Sequence, residues 1–264
     1  RLHAWINLEG RKPRPSEPDT ASVSKYLVML DKNPGLKSLT SIPFYADLLV
    51  QSNLTPLTGV ELSEQDLIEL AIEKMCSREY EKGTLDRDVF PPQAFREWLE
   101  EIAILSYQAS GVSVQELRDL AGLAAVLASR DLSEDEQKKL VDHITMAPFF
   151  KKSDMSGRLE LTHELLAEYL AASRFIDFYN NSLAKFVYSL SQRPWPADSI
   201  MYLVLGRALK DEIDRLATLS VSEAFSPDGF RNLIQLLARI PKGIDVLREK
   251  RIALEGGRLQ GVCF

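Results

Sequence analysis

Apolar residues return every three to four positions along most of this chain, the spacing that lines one face of an α-helix. In "SEQDLIELAIEKMCSREYEKG" the face is Leu67, Leu70, Ala71 and Met75. Ser63 is placed to cap that helix, with Asp66 as a near-match to a capping box and Gly83 as terminator. "PPQAFREWLEEIAILSYQASG" predicts a second helix, opened by Pro91 and Pro92 and ended by Gly111, with Phe95, Leu99, Ile102 and Leu105 on one side. Two further helices are announced by a serine three residues ahead of a glutamate. Ser113 and Glu116 open "SVQELRDLAGLAAV", and Ser133 and Glu136 open "LSEDEQKKLVDHITMAPFF".

The pattern then changes period. "APFFKKSDMSGRLELTH" is two short runs around a polar, glycine-containing turn, which predicts a β-hairpin. Helical spacing resumes in "HELLAEYLAASRFIDFYNN", with Leu166, Tyr169, Leu170 and Ile176 on the expected buried side. The order helix, helix, helix, hairpin, helix over roughly 92–180 is winged-helix-like. After Pro194 and Pro196, "SIMYLVLGRALKDEIDRLATL" and "DGFRNLIQLLARI" predict a second small helical module over about 184–250. Ahead of all this, residues 11–20 hold three prolines and no large apolar group, so they are expected to be a loop. "SVSKYLVMLDKN" and "SIPFYADLLVQS" predict short helices, with Pro43 in the first turn of the second.

The tail has a third period. Leu254, Leu259 and Phe264 are spaced by five, as are Gly256 and Gly261. Five fits neither helix nor strand, but it fits a narrow solenoid that sends one apolar side chain inward per repeat. The expected fold class is therefore mainly α: a helical domain, a winged-helix domain with one hairpin wing, a helical linker and the start of a narrow solenoid.

Composition narrows the function classes. The 264 residues are 45% apolar and 27% charged, an ordinary globular mixture long enough for two modules. A net charge of −6 argues against nucleic acid as the main partner. Cys76 and Cys263 match no metal-ligand spacing and suggest no disulfide framework, so a reduced, cytoplasmic setting is expected. No run of 18 apolar residues occurs, and "RLHAWINLEG" does not have the form of a signal peptide, so no membrane partner is expected. The start on Arg1 and the repeat-like end lead us to expect a longer protein around this stretch.

Catalytic motifs are missing from the sequence: there is no phosphate-binding GxxxxGK[ST], glycine-rich dinucleotide loop, HExxH, GxSxG or CxxC. No catalytic or metal-ligating residue is assigned, and the segment is not expected to be a complete enzyme. Among its three histidines, His163 has a distinctive position. Thr162 is the expected N-cap, which puts His163 at the first helical position beside unsatisfied backbone donors. There the ring can donate to an anionic oxygen held at the helix start. It can equally pack between hairpin and helix with a bond to a backbone carbonyl, and the residues alone favour that second role. Glu168 is expected to cap or pair with a neighbouring helix, and Tyr169 to be core with a polar tip. Pro43 either starts its helix or offers a rigid apolar face to a flat ligand.

"LTHELLAEYLAA" resembles the FxHxxFxEYLAA signature near the end of the winged helix of NACHT-type NTPases of the STAND class. The correspondence runs through His163, Leu166, Glu168, Tyr169, Leu170, Ala171 and Ala172, with Leu161 and Leu166 in place of phenylalanines. "SIPFYADLLVQ" resembles the segment after the nucleotide-binding core in which a proline packs against adenine. Pro43 would take that role, although Ser41 stands where a glycine is common. "ALEGGRLQGVCF" resembles the opening of a pentapeptide-repeat domain, which implies the start of a right-handed β-helix with Leu254, Leu259 and Phe264 inward.

The resemblance implies residues 1–60 as the end of a nucleotide-binding core and a helical segment, and 61–90 as a helical domain. It implies 91–180 as the winged helix, 181–250 as a helical linker and 251–264 as the start of the repeats. ATP or ADP would be the cofactor of the full-length protein, with His163 and Pro43 completing a site whose larger part lies upstream. The implied function is regulatory: coupling ADP/ATP state to domain opening and oligomerisation, in signal transduction such as bacterial defence. The implied partners are the upstream core of the same chain, further copies on activation, and a protein trigger at the C-terminal repeats. Two other readings compete. One is a winged-helix DNA-binding regulator, favoured by Lys151, Lys152 and Arg158 in the wing but not by the nearly neutral helix "VQELRDLAGLAAV". The other is a plain helical scaffold.

Overall fold

The computed structural model describes residues 27–43, 45, 46, 49, 63–83, 85–88, 90–109, 111–120, 123, 133–145, 149–152, 158–222 and 225–249. The pentapeptide-like tail and residues 11–20 lie outside them. The chain divides into two compact units, Arg1–Met75 and Cys76–Phe264. The described part is mainly helical with one two-stranded sheet.

In the first unit, helix α1 (Pro34–Leu39) opens on Asn33, whose side chain accepts the Leu36 amide at 3.1 Å, and has Pro34 in its first turn. Pro43 begins the next helical turn, in which the Tyr45 and Ala46 amides both donate to the Ile42 carbonyl. Leu30, Leu36, Leu39, Tyr45 and Leu49 are buried. Helix α2 (Glu64–Glu81) starts in this unit and ends in the other. Its start is reciprocal, as expected: the Ser63 amide donates to Asp66 at 2.8 Å and the Asp66 amide to Ser63 Oγ at 3.3 Å. Leu67, Ile68, Ala71 and Ile72 are its fully buried face. Gly83, at φ 71°, stops the chain where a side chain would be strained.

The second unit is built around α3 (Pro92–Ala109) and α6 (Glu164–Asn181), which pack along each other. Between them come α4 (Val114–Asp119), α5 (Glu134–Thr145) and the hairpin strands β1 (Phe150–Lys152) and β2 (Leu159–Leu161). The strands pair antiparallel, with Phe150 opposite Leu161. Val112, just after α3, adds a single antiparallel rung to Leu159. Phe95, Trp98, Leu99 and Ile102 are wholly buried. Trp98 stacks on Phe95, meets Phe150 edge-on, and donates its indole N–H to the Leu117 carbonyl at 3.3 Å. Leu105, expected on this face, is only half-buried. Each large ring buried here contributes about 1.5–3 kcal/mol of transfer free energy.

The corner between α3, α4 and the hairpin is locked by charge and by one glycine. Helix α4 has the full capping box that the Ser113–Glu116 spacing announces. It is shorter than its apolar pattern implies, since Leu120 is already extended. Arg158 donates to the Gly111 carbonyl at 2.9 Å and to Glu116 at 2.7 Å. Ser113 and Arg158 together hold the Glu116 carboxyl down to about 2, the Ser113 amide being the largest cause. Gly111 sits at φ +104°, and a Cβ there would come within 3.0 Å of Arg158 Cβ and 3.1 Å of the Leu159 carbonyl oxygen.

After α6 the chain forms α7 (Leu183–Leu190), α8 (Ile200–Ala208), a 3-10 turn (Lys210–Glu212), α9 (Ile213–Ser222), α10 (Pro227–Arg239) and α11 (Gly243–Glu249). Helix α10 is the hub, packed by α7, α8, α9 and α11, while α8 also packs on α6.

Candidate functional site at the start of helix α6

The N-terminus of α6 is one residue later than its sequence suggests. Thr162 is not the cap, because its amide donates to the Phe149 carbonyl at 2.7 Å and holds it in line with the hairpin. His163 is the N-cap itself. Its backbone is extended (φ −114°, ψ 115°), and its carbonyl accepts the Ala167 amide at 3.0 Å. Its side chain makes no capping hydrogen bond, and the residue is half-buried. The backbone bond to Phe149 therefore outweighed the intrinsic capping preference of threonine. Pro43 lies in the first unit and is exposed.

The buried side of α6 also differs from the helical-wheel expectation. Leu166 and Leu170 are buried as predicted, but Tyr169 and Ile176 are only half-buried. Glu168, Phe175 and Tyr179 lie inside in their place. The Glu168 carboxylate accepts the Ile200 amide at 3.0 Å, capping α8 from another helix, which is the role expected of it. Burial pushes its carboxyl above the usual carboxylate range, opposed by the Ile200 amide and the Ser199 hydroxyl.

Alongside this wall, between α3 and α6, runs a cleft of about 320 Å³. Ser106 and Tyr107 line it from α3, Glu164 and Ala167 from α6, Lys151 from the hairpin and Arg193 from the loop after α7. His163 is not among the described residues that line it. Arg193 lies over the Tyr107 ring at 3.5 Å from its centroid. Burial raises the Tyr107 hydroxyl to about 12 against the opposing Arg193 charge. Lys151 is engaged by Glu160 at 3.6 Å.

Sequence reasoning missed Asn232. Its side chain is wholly buried and fully used. It accepts the Trp195 amide at 2.9 Å and the Tyr202 hydroxyl at 3.4 Å, and donates to the Leu190 and Arg193 carbonyls at 2.9 and 2.8 Å. An asparagine among the apolar positions of "FRNLIQLL", which also carries Arg231 and Gln235, was the available signal. Asn232 fixes the loop that presents Arg193 and Trp195.

Among the described residues no group of three His, Cys, Asp or Glu side chains is arranged to hold a metal ion, and no helix is long and apolar enough to cross a membrane. No family model, no curated protein and no solved structure matches the chain.

Proposed function

We propose that this chain is the regulatory portion of a NACHT-type STAND signalling NTPase, coupling the ADP or ATP state of an upstream core to domain opening and oligomerisation. The observation that carries this reading is the position of His163 in the signature "LTHELLAEYLAA". It is the N-cap of α6, in extended backbone, with its ring not spent on capping the helix. A side chain there can reach an anionic oxygen while the first-turn amides add their partial positive charge. The element order from α3 through the Val112 rung, α4, α5 and the hairpin to α6 supports a winged helix. In this reading Pro43 contacts the base and His163 the phosphate of ADP. The larger part of the nucleotide site belongs to upstream residues, and the C-terminal repeats receive the trigger.

The test uses the full-length protein with its upstream core. His163→Ala should weaken ADP affinity about tenfold or more, the value of a charge-assisted hydrogen bond, and raise spontaneous oligomerisation. Unchanged affinity and unchanged oligomeric state would overturn the reading.

DNA binding by a winged helix is the runner-up, favoured by the exposed Lys151 and Lys152 on β1. Two observations weigh against it. The helix just before the hairpin is α5, whose first turn is Glu134, Asp135 and Glu136, a repulsive approach to a phosphate backbone. Arg158 is already committed to Gly111 and Glu116. Binding to duplex DNA at ~0.15 M salt that is lost on replacing Lys151 and Lys152 would favour this alternative.

A further inference from the structure

The first turn of α8 is finished by a residue of a different helix. Ile200 is the first residue of α8, and its amide is one of the donors that a helix leaves without an internal partner. That donor goes to Glu168 Oε2 on α6, at 3.0 Å, while the cap residue Ser199 takes the next amide, Met201, at 3.3 Å. Glu168 is only 6% exposed. The charged and titratable groups around it are Glu164 on its own helix, Asp198 in the loop before α8, Tyr107 on α3 and Tyr202 on α8, and Arg193, over Tyr107, lines the same cleft. Among the described residues no lysine or arginine forms an ion pair with it; what faces it is the positive end of α8. A buried carboxylate without an ion-pair partner is costly unless it is hydrogen-bonded, and the Ile200 amide is the bond that offsets this cost.

We propose that Glu168 is the positioning residue through which α6 sets where α8 begins, and with it the register of the module that follows on α6. The contact works as a latch: with the acceptor in place α8 starts at Ile200, and without it the first turn of α8 frays. The Ile200 amide and the Ser199 hydroxyl both favour the charged carboxylate, so the bonds that make the latch offset the burial that opposes that charge. This inference goes beyond the nucleotide reading and stands whether or not His163 meets a phosphate.

The test is amide hydrogen exchange on this chain, corrected for intrinsic rates, in wild type, Glu168→Gln and Glu168→Ala. Glutamine keeps an oxygen acceptor for the Ile200 amide and carries no charge. In Glu168→Ala, protection at Ile200 and Met201 should fall about tenfold while the centre of α3 is unchanged, since one buried donor loses its partner. Glu168→Gln should restore it. If Glu168→Ala does not fold, Glu168→Met, similar in length and without an oxygen acceptor, takes its place and should show the same local loss. Unchanged protection at Ile200 and Met201 in the acceptor-free variant, or a loss spread evenly over the second unit, would overturn the proposal.

Discussion

Helices α6 and α8 pack against each other, yet their first turns are finished in opposite ways. The start of α8 is closed: Ser199 caps it from its own strand of chain, Glu168 caps it from α6, and both are buried. The start of α6 is open: His163 occupies the cap position without a capping bond and remains half-exposed. A helix end that satisfies its donors internally is architecture. One whose cap residue is half-exposed and makes no side-chain capping bond is the better placed to meet an external anion. The functional proposal and the positioning proposal are the two sides of this contrast.

The largest effect on the closed side should come from Asn232→Ala. It strands two carbonyls and two donors around the Trp195 loop, and should cost about 3 kcal/mol or more in urea unfolding. A loss below ~1 kcal/mol would mean that the α8–α10 seam does not depend on this polar centre. Next is Gly111→Ala, which combines an unfavourable φ with the close approach of Arg158 and Leu159. It should cost about 2 kcal/mol and loosen the hairpin, seen as faster exchange of the Val112 and Leu159 amides.

On the open side the sign reverses. His163→Ser supplies the missing cap and should stabilise the chain by about 0.5–1 kcal/mol. In the full-length protein the same change should weaken ADP binding, so stability and function would be traded at one residue. Stabilisation with undiminished ADP affinity would separate the two and remove His163 from the nucleotide site.

The smallest effect concerns the exposed capping box of α4. The Glu116 carboxyl is held down to about 2, so its contribution is present above the ordinary carboxyl range and is lost as pH falls toward 2. Solvent screening keeps this to about 0.5–1 kcal/mol. Acid unfolding of Glu116→Gln should show a correspondingly shallower pH dependence between about 4.5 and 2.

Local chemistry made much of the fold readable. Ser63 with Asp66, Ser113 with Glu116 and Ser133 with Glu136 sit within one turn of each other, so spacing alone predicts their bonds, and the structure contains them. The pairing of β1 with β2 was legible for the same reason. The burial of Glu168 rather than Tyr169 was not, because a helical wheel knows polarity and phase but not which neighbour arrives. Once α8 brings its positive end to α6, a carboxylate is more at home in that position than a phenol. Thr162 lost the cap position to His163 because the β1–β2 pairing reaches one residue further than strand patterning implies.

By itself, the sequence determined the mainly helical class, the caps, the hairpin and the choice of His163 as the residue of interest. All of these depend on interactions within a few positions, where geometry is set by backbone period. Only the tertiary structure decided that His163 is a cap with no capping bond, that Glu168 belongs to the start of α8, and that Asn232 organises the loop carrying Arg193. Those pairings join residues that are far apart in the chain. They form because burial leaves polar groups no solvent to turn to, so each takes the partner that packing brings within reach.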